Sequence, residues 1–209
     1  MNSKEYFDEV ASQWEAMRQS FFSENVRKKA YDVAQVQPGG LAADLGAGSG
    51  FVTEGLLARG VGVIAVDQSE AMRTETLHRF AHADGLEYRV GTAEHLPIPD
   101  RGVDYAFANM YLHHVEDPAI AIREMTRILK PGGRLVITDL DEHNFDFLRV
   151  EHHDRWMGFQ RADVRRWLEA AGLENVQVES VGEDCSATSQ SGSQAAQVSI
   201  FVASGQKAG

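Results

Sequence analysis

Ten residues constrain this chain more than any others. Leu41 to Gly50, LAADLGAGSG, is an apolar run that ends in a carboxylate and then places glycine on three alternate positions. Leu41 to Leu45 is short, apolar and closed by glycine, whereas Phe51, Val52, Leu56 and Leu57 recur at helical spacing, so the segment reads strand, turn, helix. Glycine at positions 46, 48 and 50 permits positive φ and removes the Cβ atoms that would hold a ligand away from the backbone. The helix behind the turn presents unpaired N–H groups. Such a corner suits the floor of a nucleoside-cofactor site, although tight strand-to-helix corners also use glycine for geometry alone.

Two details separate this corner from a dinucleotide site. The G-x-G-x-x-G/A fingerprint needs a third small residue where this chain has Phe51, and the glycines run G-x-G-x-G instead. Asp44, two residues before Gly46, would repel a pyrophosphate but suits a cationic amino group. A ligand with an ammonium and no phosphate follows.

Asp44-Leu45-Gly46-Ala47-Gly48-Ser49-Gly50 resembles the first motif of the class I S-adenosylmethionine-dependent methyltransferases, in their small-molecule, type 11-like group. The resemblance implies an α/β, Rossmann-like fold: a doubly wound, mostly parallel sheet of seven strands in the order 3-2-1-4-5-7-6, the last strand antiparallel. It implies S-adenosylmethionine as cofactor and S-adenosylhomocysteine as product. In that family the glycine loop lies under the methionine portion and the first carboxylate orients its amino group, which assigns Gly46, Ala47, Gly48, Gly50 and Asp44 to the cofactor. Tyr6-Phe7-Asp8-Glu9-Val10-Ala11 with Trp14, Met17 and Arg18 resembles the amino-terminal lid of such enzymes, which implies that Tyr6 and Trp14 cover the cofactor.

A second apolar strand, Gly62 to Val66, ends at Asp67. A carboxylate about 20 residues beyond the loop, at the end of the adjacent strand, can accept both ribose hydroxyls of a nucleoside. Its alternative, a helix cap, is filled more naturally by Ser69. By resemblance Gln68 and Met72 flank the adenine, and Gly91-Thr92-Ala93-Glu94 is the adenine-contact segment. Threonine at 92 departs from the acidic residue usual there, which shifts recognition to the backbone near Ala93 and to Glu94. After a fourth strand, Val103 to Ala108, comes Asn109-Met110-Tyr111-Leu112-His113-His114 at the sheet edge where open sheets place ligands. The family's pattern puts Asn109, Met110 and His113 beside the cofactor. A His-His pair invites a metal, but sequence neighbours rarely aim at one ion and no third ligand is fixed by spacing, so no metal is assigned.

Asp117-Pro118 opens a scaffold helix with Ile122, Met125 and Leu129 on its apolar face, ended by Pro131-Gly132-Gly133. Arg134 to Thr138 is a fifth strand, followed by Asp139-Leu140-Asp141-Glu142-His143 and then Glu151-His152-His153-Asp154-Arg155-Trp156. One reading is a solvated face of mixed charge. The functional one makes Asp139 or His143 a proton acceptor or substrate anchor, with Trp156 and Phe159 as apolar walls. A metal version would use His143, His152, His153 and Asp154. Asp163 to Ala171 is amphipathic, and Val176 to Val181 with Val198 to Ala203 form a terminal hairpin around a polar 182–197 stretch that reads as a mobile flap carrying an exposed Cys185.

At 209 residues a single domain is expected: lid 1–40, cofactor-binding core 41–140, and substrate-side helices with the hairpin 141–209. The net charge of −11 disfavours nucleic acid as a partner, the single cysteine excludes an internal disulfide, and no apolar run reads as a signal or membrane span. These point to a cytoplasmic protein, and the resemblance implies an enzyme, monomer or homodimer, that moves a methyl group to a small-molecule carbon, oxygen, nitrogen or sulfur nucleophile. The competitors are a cofactor-binding sensor or partner-binding protein, a metalloid methylator, which one cysteine serves poorly, and an NAD-dependent dehydrogenase, which Phe51 and Asp44 oppose.

Overall fold

The structure is a computed structural model that describes residues 3–209. Strand β1 (Leu41–Leu45) runs parallel to β2 (Gly62–Asp67) on one side and to β4 (Val103–Asn109) on the other. With β3 (Leu86–Val90), β5 (Leu129–Leu140), β6 (Leu173–Thr188) and β7 (Ala195–Lys207) the sheet has the order β3-β2-β1-β4-β5-β7-β6. β7 is antiparallel to both of its neighbours, and the order reverses between β1 and β4, which opens a crevice at their carboxyl ends.

The central strands are mostly apolar because both sheet faces are covered. Alternation divides them: Leu135 and Ile137 pack with Ile122, Met125 and Leu168 on one face, while Val136 packs with Val26, Tyr31 and Leu56 on the other. The first face is covered by α5 (Pro118–Ile128) and α7 (Arg161–Ala170), the second by α2 (Glu24–Ala34) and α3 (Phe51–Leu57). Helix starts follow the expected cap chemistry. Asp117 accepts the Ile120 N–H at 2.9 Å ahead of Pro118, and Ser69 Oγ accepts the Met72 N–H at 3.1 Å to begin α4 (Glu70–Arg79). The remaining helices are α1 (Ser3–Phe21) and α6 (Asp146–Glu151), and a short 3-10 turn, Leu112–His114, follows β4.

Two segments differ from the sequence reading. β5 begins at Leu129, not Arg134: Leu129 is already extended (φ −70, ψ 140) and pairs with Val103, so Pro131-Gly132-Gly133 is an irregularity inside a strand. The supposed flap is mostly strand as well. β6 continues to Thr188 and β7 starts at Ala195, leaving a turn closed by Ser189 N to Gln194 O at 2.9 Å. Small polar residues alternate there with buried Cys185, Ala196 and Val198, the pattern of a strand wet on one face. Cys185 is therefore buried, not exposed.

Candidate active site

At the carboxyl end of β1, Gly46, Gly48 and Gly50 all have positive φ (67, 51 and 85). A Cβ on Gly46 would sit 2.2 Å from Tyr111 Cδ2, and one on Gly48 3.2 Å from Trp14 Nε1, so the corner needs bare backbone for close approach as well as for its turn. The loop is stitched to the neighbouring strand: Gly46 N and Ala47 N donate to Val66 O at 2.8 and 3.1 Å, and Gly48 N donates to Asp67 Oδ2 at 2.9 Å. Asp67 Oδ1 accepts the Ser69 N–H at 3.0 Å, and burial holds this carboxyl above its ordinary range. Asp67 thus fixes the loop while its carboxylate borders the cavity above it.

That cavity is lined by Trp14, Gly46, Ala47, Gly48, Asp67, Gln68, Asn109 and Met110, eight of the residues expected there. A neighbouring cavity is lined by Gln68, Ala93, Glu94 and Arg155, and Tyr111 borders both. The Tyr111 hydroxyl accepts from the Ala93 backbone, and Asn109 Oδ1 accepts the Thr138 hydroxyl at 2.7 Å. Glu94 also accepts the Glu116 N–H at 3.0 Å, which ties the 94 and 116 turns together.

Three expected cofactor residues, Asp44, Met72 and Gly50, line neither this cavity nor its neighbours. Asp44 is 2% exposed, and its Oδ2 accepts both the N–H (2.9 Å) and the hydroxyl (2.7 Å) of Thr53. Strand alternation points it sideways into α3, and burial, only partly offset by Thr53, pushes its carboxyl up to about 6. Met72 is wholly buried beneath the first turn of α4. Gly50 meets Phe80 instead and serves the turn.

Helix α1 lies over the loop. Asp8 accepts the Ser69 hydroxyl at 2.5 Å, and Glu15 accepts the Ser49 hydroxyl at 2.8 Å while pairing with Arg18 (2.6 Å) and Arg79 (2.9 Å). Burial would raise the Glu15 carboxyl, but hydrogen bonds from Arg18 and Ser49 and the charge of both arginines bring it down to about 2.

Under the same helix a second, largely apolar cavity is walled by Tyr6, Phe7, Trp14, Phe21, Phe22, Met110, Leu140, Leu148 and Cys185. Its polar end is His113, His114, His152 and Asp154. Phe7, Trp14, Phe22, Met110 and His114 border both this cavity and the glycine-loop one. Burial pushes the Cys185 thiol up to about 12, which keeps it neutral. Tyr6 belongs here and not to the glycine loop; its hydroxyl is 3.2 Å from His152 Nδ1.

Asp139, fully buried, orients His113: its Oδ1 is 2.7 Å from His113 Nδ1 and accepts the Leu140 N–H at 2.7 Å, and its Oδ2 accepts the His113 N–H at 3.3 Å. His113 Nε2 faces Asp154 Oδ1 at 3.7 Å. Burial opposes the imidazolium, yet Asp139 and Asp154 carry His113 up to about 9, while burial lifts Asp154 to about 6 against the pull of His113. His113 therefore belongs to the second cavity, with Asp139 behind it. His143 lines neither cavity, because the chain leaves the sheet edge after Leu140; its Nδ1 accepts the Phe145 N–H at 3.3 Å. Trp156 bonds the Val115 carbonyl and Phe159 packs in the core, so neither is a cavity wall.

The methyltransferase domain family matches residues 43–137. Demethylmenaquinone methyltransferase of Paenarthrobacter aurescens (strain TC1) is 32% identical over 136 residues, 64% of this chain and 53% of that protein. Ubiquinone biosynthesis O-methyltransferase of Pseudomonas aeruginosa (strain LESB58) is 29% identical over 146 residues, 63% of each. A solved structure of Haemonchus contortus phosphoethanolamine N-methyltransferase 2, in complex with phosphomonomethylethanolamine and S-adenosylhomocysteine, superposes with a TM-score of 0.82 over 100% of this chain and 61% of that one; at 15% identity this is a likeness of fold. The matched stretches cover between 27% and 63% of the curated relatives' own lengths. The family match takes in a little under half of the chain, and together these likenesses support a class I S-adenosylmethionine-dependent methyltransferase with S-adenosylmethionine as its cofactor.

Proposed function

We propose that the protein transfers the methyl group of S-adenosylmethionine to a small molecule whose apolar body fills the aromatic cavity. One observation carries this reading: the glycine-loop cavity and the aromatic cavity share Met110 and His114 as a common wall, so a donor in the first can meet an acceptor in the second.

The residues fit the donor. Gly46, Ala47 and Gly48 offer backbone without Cβ obstruction, and Asp67 presents a carboxylate suited to ribose hydroxyls. Gln68, Ala93 and Glu94 bound the adenine side, Asn109 and Met110 the methionine side, and Trp14 roofs it. When bound, the sulfonium supplies a methyl group already activated for displacement. The chain's part is alignment and exclusion of water, for which α1 and its aromatic side chains are the roof. At the polar end Asp139 holds the His113 imidazole in one orientation, with Nε2 facing Asp154 on the wall of the aromatic cavity. Asp139 is thus a positioning residue for His113.

The acceptor is a small molecule and not nucleic acid, in keeping with a net charge of −11. We place the protein in the cytoplasm as a monomer or homodimer; among the described residues no helix is long and apolar enough to cross a membrane. The test is calorimetric titration with S-adenosylmethionine and S-adenosylhomocysteine, followed by mass spectrometry of a panel of phenols, thiols, amines and quinols. Saturable binding and an acceptor that gains one CH2 support the reading. Absence of binding overturns it, and binding without turnover favours a sensor.

A further inference from the structure

We propose that His113, His114 and Asp154 hold a divalent transition-metal ion of the zinc class at the polar end of the aromatic cavity. Their donor atoms lie within 4.8 Å of one another, and His113 Nε2 is 3.7 Å from Asp154 Oδ1. Four-coordinate zinc with ligands at about 2.0–2.2 Å sets neighbouring donors about 3.4 Å apart, so small side-chain rotations close the set.

The stronger argument is where the lone pairs point. A histidine that ligates a metal through one nitrogen commonly donates its other N–H to a carboxylate or a backbone carbonyl, which fixes the tautomer. Both histidines meet this condition. His113 Nδ1 is committed to Asp139 Oδ1 at 2.7 Å, leaving Nε2 for the site. His114 bonds the His153 backbone carbonyl, and its Nδ1 is buried with no hydrogen-bond partner among the described residues, so Nε2 is the donor and Nδ1 carries an unused lone pair. A buried nitrogen acceptor without a partner is costly, and a cation beside it removes that cost.

Sequence neighbours rarely share an ion, but here the 3-10 turn Leu112–His114 sets the two rings at a centroid distance of 4.1 Å and a tilt of 46°, which brings a ring nitrogen of each within 4.8 Å of the other and of Asp154. Asp154 completes a two-histidine, one-carboxylate set, and both it and His113 are at most 6% exposed. Three protein ligands leave a fourth position facing the aromatic cavity, the arrangement of a site that takes a ligand from outside. The fourth ligand is the acceptor's thiol, phenol or similar heteroatom, a step that rests on the methyl-transfer reading; the metal site does not.

The experiment uses the tag-free full chain, stripped with chelator and titrated with Co2+ for its visible d–d absorption and with Zn2+ by calorimetry. S-adenosylmethionine binding is measured on the same samples. One saturable equivalent is expected, with affinity reduced at least tenfold in His114→Ala and Asp154→Asn, tenfold or more in Asp139→Asn through loss of the orienting contact, and unchanged in His143→Ala. Circular dichroism confirms folding, and the conservative Asp154→Asn keeps the test valid if His114→Ala misfolds. Absence of one-to-one binding in the unaltered protein, or affinity unchanged in the folded variants, overturns the proposal. Because cofactor binding is read separately, loss of the metal site and failure of the methyltransferase reading are distinguishable.

Discussion

Glu15, on the helix that roofs the site, accepts a 2.8 Å hydrogen bond from the hydroxyl of Ser49, in the glycine loop that forms its floor. Roof and floor are latched through one carboxylate, which Arg18 and Arg79 also hold. Glu15→Ala removes the latch. We expect faster amide exchange across 3–21 and cofactor affinity weaker by several-fold, with a stability loss of about 1 kcal/mol because the pair is partly solvated. Exchange unchanged from the parent protein would show that α1 is held by its aromatic side chains alone.

The same carboxylate predicts an acid dependence. Its folded pKa of about 2 lies below the ordinary 4.5, so its stabilisation is complete above about pH 4.5 and is lost as pH falls through 2. The difference in stability between parent and Glu15→Gln should therefore be flat at neutral pH and shrink in that window. A difference that grows on acidification would contradict the sign.

Asp44 has the opposite sign. Its folded pKa of about 6 exceeds the ordinary 3.8, so the folded state favours the protonated acid and loses stability as pH rises from about 4 to 6. Asp44→Asn keeps an acceptor for Thr53 and abolishes that loss. We expect the variant to melt above the parent at pH 8, by an amount worth on the order of 2 kcal/mol. A variant less stable than the parent at pH 8 would show that the carboxylate is stabilised where it lies.

Asp67 anchors the loop through the N–H groups of Gly48 and Ser69. Asp67→Ala orphans both and removes the carboxylate proposed to hold the ribose, so cofactor affinity should fall at least tenfold and stability by about 1–3 kcal/mol. Calorimetric titration beside thermal melting separates the two effects. Full affinity in a destabilised variant would remove the ribose assignment.

Tyr31 is buried with its hydroxyl donating to the Val52 carbonyl at 2.6 Å. Tyr31→Phe leaves the ring packed on Phe107 and deletes that bond alone. The expected cost is about 1–1.5 kcal/mol, roughly 2–6 °C in melting temperature, with cofactor binding unchanged.

The glycine corner and the cavity above it are legible in the sequence because their signals are local: a short apolar strand, glycines at fixed offsets and a carboxylate ending the next strand, Gly46 to Asp67. The acceptor half is not, because it assembles groups far apart in the chain. Asp139 could be named from its strand end, but that it orients His113, or that His114 and Asp154 converge beside it, depends on a turn, a strand and the 152–158 segment meeting in space. Asp44 was assigned to the wrong direction because a strand's alternation fixes which way a side chain leaves, and proximity to the glycines in sequence outweighed it. Tyr111 went unnoticed although an aromatic directly after Asn109-Met110 is its one sequence signal. Cys185 was misread because small polar residues mark a half-wet strand as readily as a loop.

Phe7, Trp14 and Phe22, carried by α1 and the residue just after it, border both chambers. Whatever lifts that helix to admit a guest to one chamber unroofs the other in the same movement. If the protein acts as proposed, residence of the spent donor and turnover of acceptors share that one roof, and a change made to suit a bulkier acceptor will also be felt as a change in how long the donor stays.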